Sequence, residues 1–164
     1  MISSKVQKAS SSENETSDLL AGLLTVDRVL YDIPISSKKR LLEELALLLS
    51  KDSRSLDKDT VFRTLTERER LGSTGIGGGI ALPHGRLNGI SQCVAAAIKI
   101  REPLDFDSLD EQPVYLAIAL LVPADASKQH LQVLAGLARL FSETKRRERI
   151  LKAQDAKDLY EMLA

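Results

Sequence analysis

Three apolar, partly β-branched runs constrain the fold of this chain more than any other feature of its sequence. They cover residues 80–83, 94–100 and 114–122, and turn-forming residues separate them. A strand that is apolar on both faces belongs inside a sheet that helices cover on both sides. A further short strand fits residues 29–33. The runs therefore predict a central sheet.

Helical patterns lie on both sides of these runs in the sequence. After Ser36 and Ser37, either of which can cap a first turn, leucines recur at helical spacing through residues 41–49. A second helix is expected to begin near Asp57 and to stop at Gly72, which suits a left-handed C-terminal position. More helices are expected at 127–141, 143–151 and 155–163. This order of elements predicts an α/β layer structure.

The chain is expected to hold one domain behind a flexible tail. Residues 1–18 are rich in Ser, Lys, Glu and Asn and have almost no large apolar side chains. Such a segment buries too little surface to offset its ordering entropy, so we predict a flexible N-terminal tail. The remaining residues, 19–164, are enough for one ordinary domain with a real core.

The charge balance argues against a nucleic-acid-binding protein. Lys and Arg total 23 and Asp and Glu total 23, so the chain has no global basic field. The strongest local cluster is residues 145–149, KRRER, which we interpret as a solvated helix face; a docking patch for an acidic partner is the alternative. The longest apolar run, 114–122, is half the length that a membrane-spanning helix needs, and the N-terminus lacks a signal peptide's apolar core.

Cysteine and histidine content argues against disulfides and metal sites. Cys93 is the single cysteine, so an intrachain disulfide is excluded and a reducing, cytoplasmic compartment is expected. Its apolar neighbours predict a small buried hydrophobe rather than a reactive thiol. One cysteine and two histidines do not make a structural zinc site of the usual kind.

The segment 74–86, TGIGGGIALPHGR, carries the strongest functional signal. It presents His84 between Pro83, which fixes φ, and Gly85, which lets the backbone approach a neighbour closely. Because a neutral ring nitrogen can act as a nucleophile, His84 is a candidate catalytic residue. A packed core histidine beside an apolar strand is the alternative.

A nucleotide-binding loop does not fit this segment. The phosphate-binding pattern GxxxxGK[ST] is absent, and GxGxxG does not fit from Gly75 or Gly77. A dinucleotide site requires a strand, a glycine turn and then a helix, whereas the order here is helix, glycine turn, strand. The glycines therefore predict no nucleotide cofactor.

Phosphoryl transfer to a histidine requires fixed donors for the phosphoryl oxygens. Arg68 can supply a forked cationic donor, although Glu67 and Glu69 flank it and a charged surface would also explain it. Ser73 and Thr74 offer hydroxyls, and amides of the glycine loop, beginning at Gly75, could form an anion nest. Ordinary turn polarity explains the two hydroxyls equally well.

The motif as a whole resembles the active-site signature of phosphotransferase-system EIIA domains of the mannitol/fructose type. The version RERLGSTGIGGGIALPHG is most similar to the nitrogen-regulatory branch, and residues 119–131, ALLVPADASKQHL, resemble the second functional segment of the family. The likeness extends from about Leu23 onward. The residues that carry the signature are Arg68, Gly72, Ser73, Thr74, Gly75, Ile76, Gly77, Gly79, Ile80, Ala81, Leu82, Pro83, His84 and Gly85.

The resemblance implies a fold, a reaction and roles for three residues. The fold would be a mixed sheet flanked by helices, and residues 19–164 would be the EIIA domain. His84 would accept a phosphoryl group from an HPr-like phosphohistidine protein (NPr in the nitrogen branch), with His130 and Arg68 stabilising it. The donor is a protein, so neither magnesium nor a nucleotide cofactor is implied.

Partner contacts and the downstream role leave alternatives open. In the family, partners meet on a shallow apolar rim, for which Ile76, Ile80 and Leu82 are candidates, although Ile80 and Leu82 would equally suit the core. The favoured role is a phosphotransferase component that regulates partner proteins through its phosphorylation state. A sugar-specific EIIA that passes phosphate to an EIIB cysteine, and a binding module that transfers nothing, are the alternatives.

Overall fold

The computed structural model describes residues 19–125 and 128–164, although the side chains of Gln129 and His130 within them stay undescribed. The predicted tail, residues 1–18, lies outside the described residues. Within the described ranges, no helix combines the length and the apolar character that crossing a bilayer requires.

The described residues form six strands and five α-helices, and a 3₁₀ turn at Val26–Arg28 leads into the first strand. The strands are β1 (Val29–Ile33), β2 (Gly75–Gly77), β3 (Ile80–Ala81), β4 (His84–Leu87), β5 (Val94–Leu104) and β6 (Val114–Pro123). The helices are α1 (Lys38–Ser50), α2 (Lys58–Arg70), α3 (Lys128–Phe141), α4 (Thr144–Leu151) and α5 (Ala156–Leu163).

All the strands belong to one mixed sheet. The order is β1-β5-β6-β3-β2, and β4 also pairs with β6. The β1–β5, β3–β6 and β4–β6 pairs are parallel, whereas the β5–β6 and β2–β3 pairs are antiparallel. The predicted α/β architecture, a mixed sheet flanked by helices, is therefore confirmed.

Strand β6 shows why the apolar runs predicted a sheet covered on both faces. Leu116, Ile118 and Leu120 pack in the core cluster under helices α3 to α5. The alternate residues Ala119 and Leu121 pack in the other cluster, under α1 and α2. Because successive strand side chains point to opposite faces, a strand between two helical layers is apolar throughout.

The first two helices begin where their capping residues predicted. The Ser37 hydroxyl accepts a hydrogen bond from the Arg40 amide at 3.1 Å, and the Asp57 carboxylate accepts one from the Thr60 amide at 3.2 Å. Helix α2 ends at Arg70, two residues before Gly72. The end of α2 therefore lies at the start of the glycine segment, as the sequence indicated.

The predicted strand at residues 80–83 is wrong in its extent, because the chain divides there into β3 and β4. Strand β3 is only two residues long, and Leu82 and Pro83 are not strand residues. The Pro83 carbonyl still accepts a hydrogen bond from the Leu120 amide at 3.0 Å. Proline has no amide hydrogen to donate to a neighbouring strand. The pairing with β6 is therefore interrupted at Pro83 and resumes at His84.

The turn between β2 and β3 is held by contacts that a larger residue would break. Gly79 has a φ of +85°, and a Cβ there would lie 2.2 Å from the Tyr115 ring. The Asp110 carboxylate accepts a hydrogen bond from the Gly78 amide at 2.9 Å, and this bond lowers the pKa of Asp110.

Arg147, in the basic cluster 145–149, packs on Gly78 and donates to the Phe141 carbonyl at 2.9 Å. The basic cluster on α4 is therefore only partly a solvated face.

Cys93 is a buried core residue, as predicted. Its side chain packs in the cluster under α3 to α5. Burial raises the pKa of its thiol, which disfavours the reactive thiolate. The structure therefore offers no sign of cysteine chemistry at this position.

Candidate functional site

His84 is the first residue of β4 and lies at the edge of the sheet. Strand β4 pairs with β6, with His84 opposite Leu120 and Gly85 opposite Leu121. Residues in register on parallel strands share a face, so His84 lies on the side of α3 and Gly85 on the side of α2. The histidine therefore lies at the boundary between the two helical layers.

Gly85 allows β4 to lie directly against α2. A Cβ at this position would lie 2.5 Å from the Cγ2 atom of Thr64 and 3.4 Å from the Thr64 carbonyl oxygen. Any larger residue would push the strand and the helix apart. Arg68 follows Thr64 by one helical turn on the same side of α2, so the close approach at Gly85 brings Arg68 towards His84.

His84 and Arg68 line one cavity of about 660 Å³. The end of α2 contributes Arg68, Arg70 and Leu71, while β4 contributes His84, Gly85 and Arg86. Leu131 and Leu134 of α3 form part of the opposite wall. The structure therefore brings together Arg68 and His84, two predicted site residues that are 16 positions apart in the sequence.

The His84 ring is half-buried, and one of its nitrogens is held by the backbone. Nδ1 lies 2.6 Å from the carbonyl oxygen of Leu82. A carbonyl oxygen can only accept a hydrogen bond, so Nδ1 is the nitrogen that carries the proton. In the neutral ring, Nε2 then keeps its lone pair. The local backbone therefore fixes both the tautomer and the orientation of the imidazole.

The environment of His84 favours its neutral form. Burial lowers the pKa of His84 most strongly, and the charge of Arg68 lowers it further. The hydrogen bond to the Leu82 carbonyl and the charge of Glu69 raise the pKa, but they do not reverse the effect of burial. The neutral imidazole is thus the main species at neutral pH.

We predict that His84 stays neutral below the pH at which an ordinary histidine becomes protonated. Its pKa is lowered from 6.5, so its reactivity as a base or nucleophile should persist through pH 7 and fall only below pH 6.5. An NMR titration of the ring protons measures this directly. Arg68→Ala should raise the His84 pKa, because the arginine charge lowers it. A wild-type pKa above 6.5 would contradict the prediction.

The contacts of Ser73, Thr74 and Gly75 favour the alternative of ordinary turn polarity, and their phosphoryl-binding role stays a prediction. Thr74 is buried, and its hydroxyl donates to the Glu69 carboxylate at 2.5 Å. The Ser73 hydroxyl donates to the Phe106 carbonyl at 2.8 Å and accepts from the Gly75 amide at 3.1 Å. The polar groups are satisfied within the turn, and none of the three residues lines the His84 cavity.

Glu69 is the residue that sequence reasoning missed. Its side chain is buried and accepts a hydrogen bond from the Thr74 amide at 3.0 Å, in addition to the Thr74 hydroxyl. Lys38 of α1 lies 2.7 Å from the same carboxylate and also donates to the Phe106 carbonyl at 3.2 Å. Glu69 therefore connects the end of α2 to α1 and to the segment that leads to His84. Its four-residue spacing from Val61 and Leu65 places it on the inward face of α2, and this spacing is the local signal that separates it from the exposed Glu67.

Two of the three candidates for the apolar rim, Ile80 and Leu82, follow the core alternative. Ile80 is 0% exposed and Leu82 is 4% exposed, and both pack in the core cluster under α3 to α5. Both side chains therefore face the helical layer rather than solvent. Ile76 is 39% exposed, but it lies on β2 and does not line the cavity.

The structure describes only the backbone of His130, the second histidine of the motif. The backbone of His130 lies in the first turn of α3, but its side chain lies outside the described part of the chain. A role for His130 beside His84 therefore stays a prediction. Among the described residues, no cluster of three histidine, cysteine or carboxylate side chains has a geometry suited to a metal ion.

A comparison with known protein families shows the family to which the chain belongs. The model of the family described as "Phosphoenolpyruvate-dependent sugar phosphotransferase system, EIIA 2" matches residues 22–164. The match covers most of the chain, including the cavity, and the chain belongs to this family. The resemblance inferred from the glycine–histidine motif is therefore confirmed.

The chain is similar to individual proteins and to solved structures. The chain is 41% identical over 144 residues to a "Nitrogen regulatory protein" of Pseudomonas aeruginosa, covering 88% of this chain and 94% of the relative. It superposes on the crystal structure of the nitrogen regulatory protein IIA-Ntr from Neisseria meningitidis with a TM-score of 0.84 and 43% identity, covering 89% and 99% of the two chains. The IIA mannitol structure from Escherichia coli gives a TM-score of 0.68 at 20% identity, covering 86% and 99%, which shows the shared fold.

Proposed function

We propose that this protein is a phosphocarrier that accepts a phosphoryl group on Nε2 of His84 from an HPr-like phosphohistidine protein. The observation that carries the proposal is the hydrogen bond between His84 Nδ1 and the Leu82 carbonyl, in a cavity that Arg68 also lines. It leaves Nε2 as the nucleophilic nitrogen. The cavity gives a partner protein access to the ring.

The chemistry follows from this arrangement. The Nε2 lone pair attacks phosphorus as the bond between phosphorus and the donor's ring nitrogen breaks, and the donor nitrogen takes back the electron pair. The attack leaves positive charge on the His84 ring, which the hydrogen bond from Nδ1 to the Leu82 carbonyl stabilises. The guanidinium of Arg68 donates to the Gly72 carbonyl at 2.9 Å through Nη1, and its remaining N–H groups would stabilise the anionic phosphoryl oxygens electrostatically.

We assign the protein to the regulatory branch of the family. Its relatives named nitrogen regulatory protein, at about two-fifths identity over most of both chains, support this assignment. The phosphorylation state of His84 would set which regulatory partner is bound, since a phosphoryl group adds about −1.5 to −2 charges at pH 7. The donor would be the HPr-like carrier of the nitrogen branch.

Phosphoryl labelling tests the proposal. The protein is incubated with phosphoenolpyruvate, enzyme I and an HPr-type carrier, and its intact mass is measured before and after acid treatment. We expect one acid-labile phosphoryl group, and NMR of the labelled ring should place phosphorus on Nε2. An unlabelled protein, or a label on Nδ1, would contradict the mechanism. Passage of the label to the cysteine of an EIIB domain would instead indicate a sugar-specific EIIA.

A further inference from the structure

The charged residues around the His84 cavity are mostly cationic. Among the described residues, Arg68, Arg70 and Arg86 line it, together with a single carboxylate, Glu67. The chain as a whole has equal numbers of basic and acidic residues, so this local excess does not reflect its overall charge. A local field of one sign acts on the approach of a partner, not on the fold.

Two of these arginines have no partner within the described part of the protein. Arg70 and Arg86 are exposed, and no hydrogen bond or ion pair holds either guanidinium. We call these two residues the arginine rim. Two other exposed arginines, by contrast, are paired: Arg40 lies 2.6 Å from the Glu44 carboxylate, and Arg101 lies 3.2 Å from that of Asp32. The rim guanidinium groups are therefore available to an incoming partner.

Exposed apolar side chains line the same cavity as the arginine rim. Leu71, at the end of α2, lines the same cavity and is 84% exposed. Leu131 lies on the opposite wall and is also exposed. Protein interfaces commonly combine an apolar centre with a polar or charged periphery, and arginine is among the residues enriched in them. Exposed leucines beside unpaired arginines fit a protein partner.

We propose that the arginine rim selects the phosphohistidine carrier that donates to His84, by binding acidic side chains that flank the carrier's own phosphohistidine. This inference rests on the proposed function and names the surface chemistry of its donor. Arg68 faces the transferred group, whereas Arg70 and Arg86 meet the carrier around it. Charges at the edge of an interface mainly change the rate of association and its salt dependence.

The phosphoryl group on the carrier is a second anion that the rim could attract. A carrier without its phosphoryl group distinguishes the effect of the acidic side chains from that of the phosphoryl group. Binding of the unphosphorylated carrier depends on its protein surface alone. We therefore expect the rim to strengthen binding of the unphosphorylated carrier as well.

The test exchanges charges on both proteins. One HPr-type carrier is prepared in two forms, with glutamate or with lysine at exposed positions flanking its histidine. The second-order rate constant for transfer is measured against wild-type protein and against the Arg70→Glu/Arg86→Glu double variant. Wild type should react about 10-fold or more faster with the glutamate carrier, and the double variant should prefer the lysine carrier. The difference should shrink at 1 M salt, where the Debye length is about 3 Å.

Arg54→Glu is the matched control, because it makes the same charge change on an exposed arginine before the first turn of α2. Arg54 lies before the start of that 13-residue helix, which is about 20 Å long, whereas Arg68 lies in its last turn. The control should keep the wild-type preference. Equal preferences in wild type and double variant, or unphosphorylated-carrier binding that does not change in the double variant, would overturn the rim proposal. If wild-type protein is not labelled on His84 at all, the proposed function fails instead.

Discussion

Replacement of His84 with alanine is expected to abolish phosphoryl labelling while the fold is retained. The reason is that, in the mechanism that we propose, His84 supplies the nucleophilic Nε2 in the cavity. The only other histidine is His130, and the single cysteine, Cys93, is buried. The half-buried ring makes one hydrogen bond, so its loss should cost about 1 kcal/mol of stability. Intact-mass labelling and a thermal unfolding curve of the same sample measure both effects. An undiminished label on the variant would exclude His84 as the acceptor.

Arg68→Ala provides the comparison that separates the nucleophile from its supporting cation. His84 is intact in this variant, so the label should still appear on it. Without the guanidinium, transfer should be about 100-fold slower, the effect of removing one preorganised donor from a reacting oxyanion. Arg68→Lys should transfer at a rate between those of wild type and Arg68→Ala, because it keeps the positive charge but loses the planar fork of the guanidinium. An unchanged transfer rate in Arg68→Ala would contradict the role that we propose for this arginine.

The sequence predicted those elements whose signals are local. The leucine spacing and the caps Ser37 and Asp57 predicted α1 and α2 with their correct starts. The two-sided apolar runs predicted β5 and β6. Strand β4 was not predicted, because HGRL has no strand periodicity. It is a strand because its backbone pairs with β6, and that partner is more than 30 residues away in the chain.

The difference between local signals and contacts of distant residues also explains which parts of the site were predictable. His84 and Gly85 stand out because a glycine–histidine motif signals a close backbone approach, and the contact of Gly85 with Thr64 bears this out. Burial was not predictable for Ile80 or for Leu82, since an apolar residue in a short run suits a core and a rim equally. The roles of Thr74 and Glu69 depended on a contact between the end of α2 and the following turn. A sequence pattern does not indicate which hydroxyl a buried carboxylate will bind.

Loss of the Glu69 carboxylate is expected to destabilise the protein more than loss of any other charge at the site. In Glu69→Ala, the amide and hydroxyl of buried Thr74 lose their acceptor, and Lys38 loses the shorter of its two ion pairs and keeps the one to Asp107 at 3.8 Å. Removing one partner of a buried ion pair costs about 3–5 kcal/mol, and the partial exposure of Lys38 favours the lower value. For a chain of this size, about 3 kcal/mol lowers Tm by roughly 10 °C.

Two further variants show whether the charge or the hydrogen bonds of Glu69 are responsible. Glu69→Gln keeps an oxygen for the Thr74 amide and offers an amide donor to its hydroxyl, but it removes the attraction to Lys38. Its loss of stability should therefore lie between those of wild type and Glu69→Ala. Glu67→Ala removes an exposed carboxylate from the same helix and should change stability by no more than about 0.5 kcal/mol. Urea unfolding of the four proteins measures the differences. Equal stability of Glu69→Ala and Glu67→Ala would mean that the buried carboxylate does not hold α2 to the segment before His84.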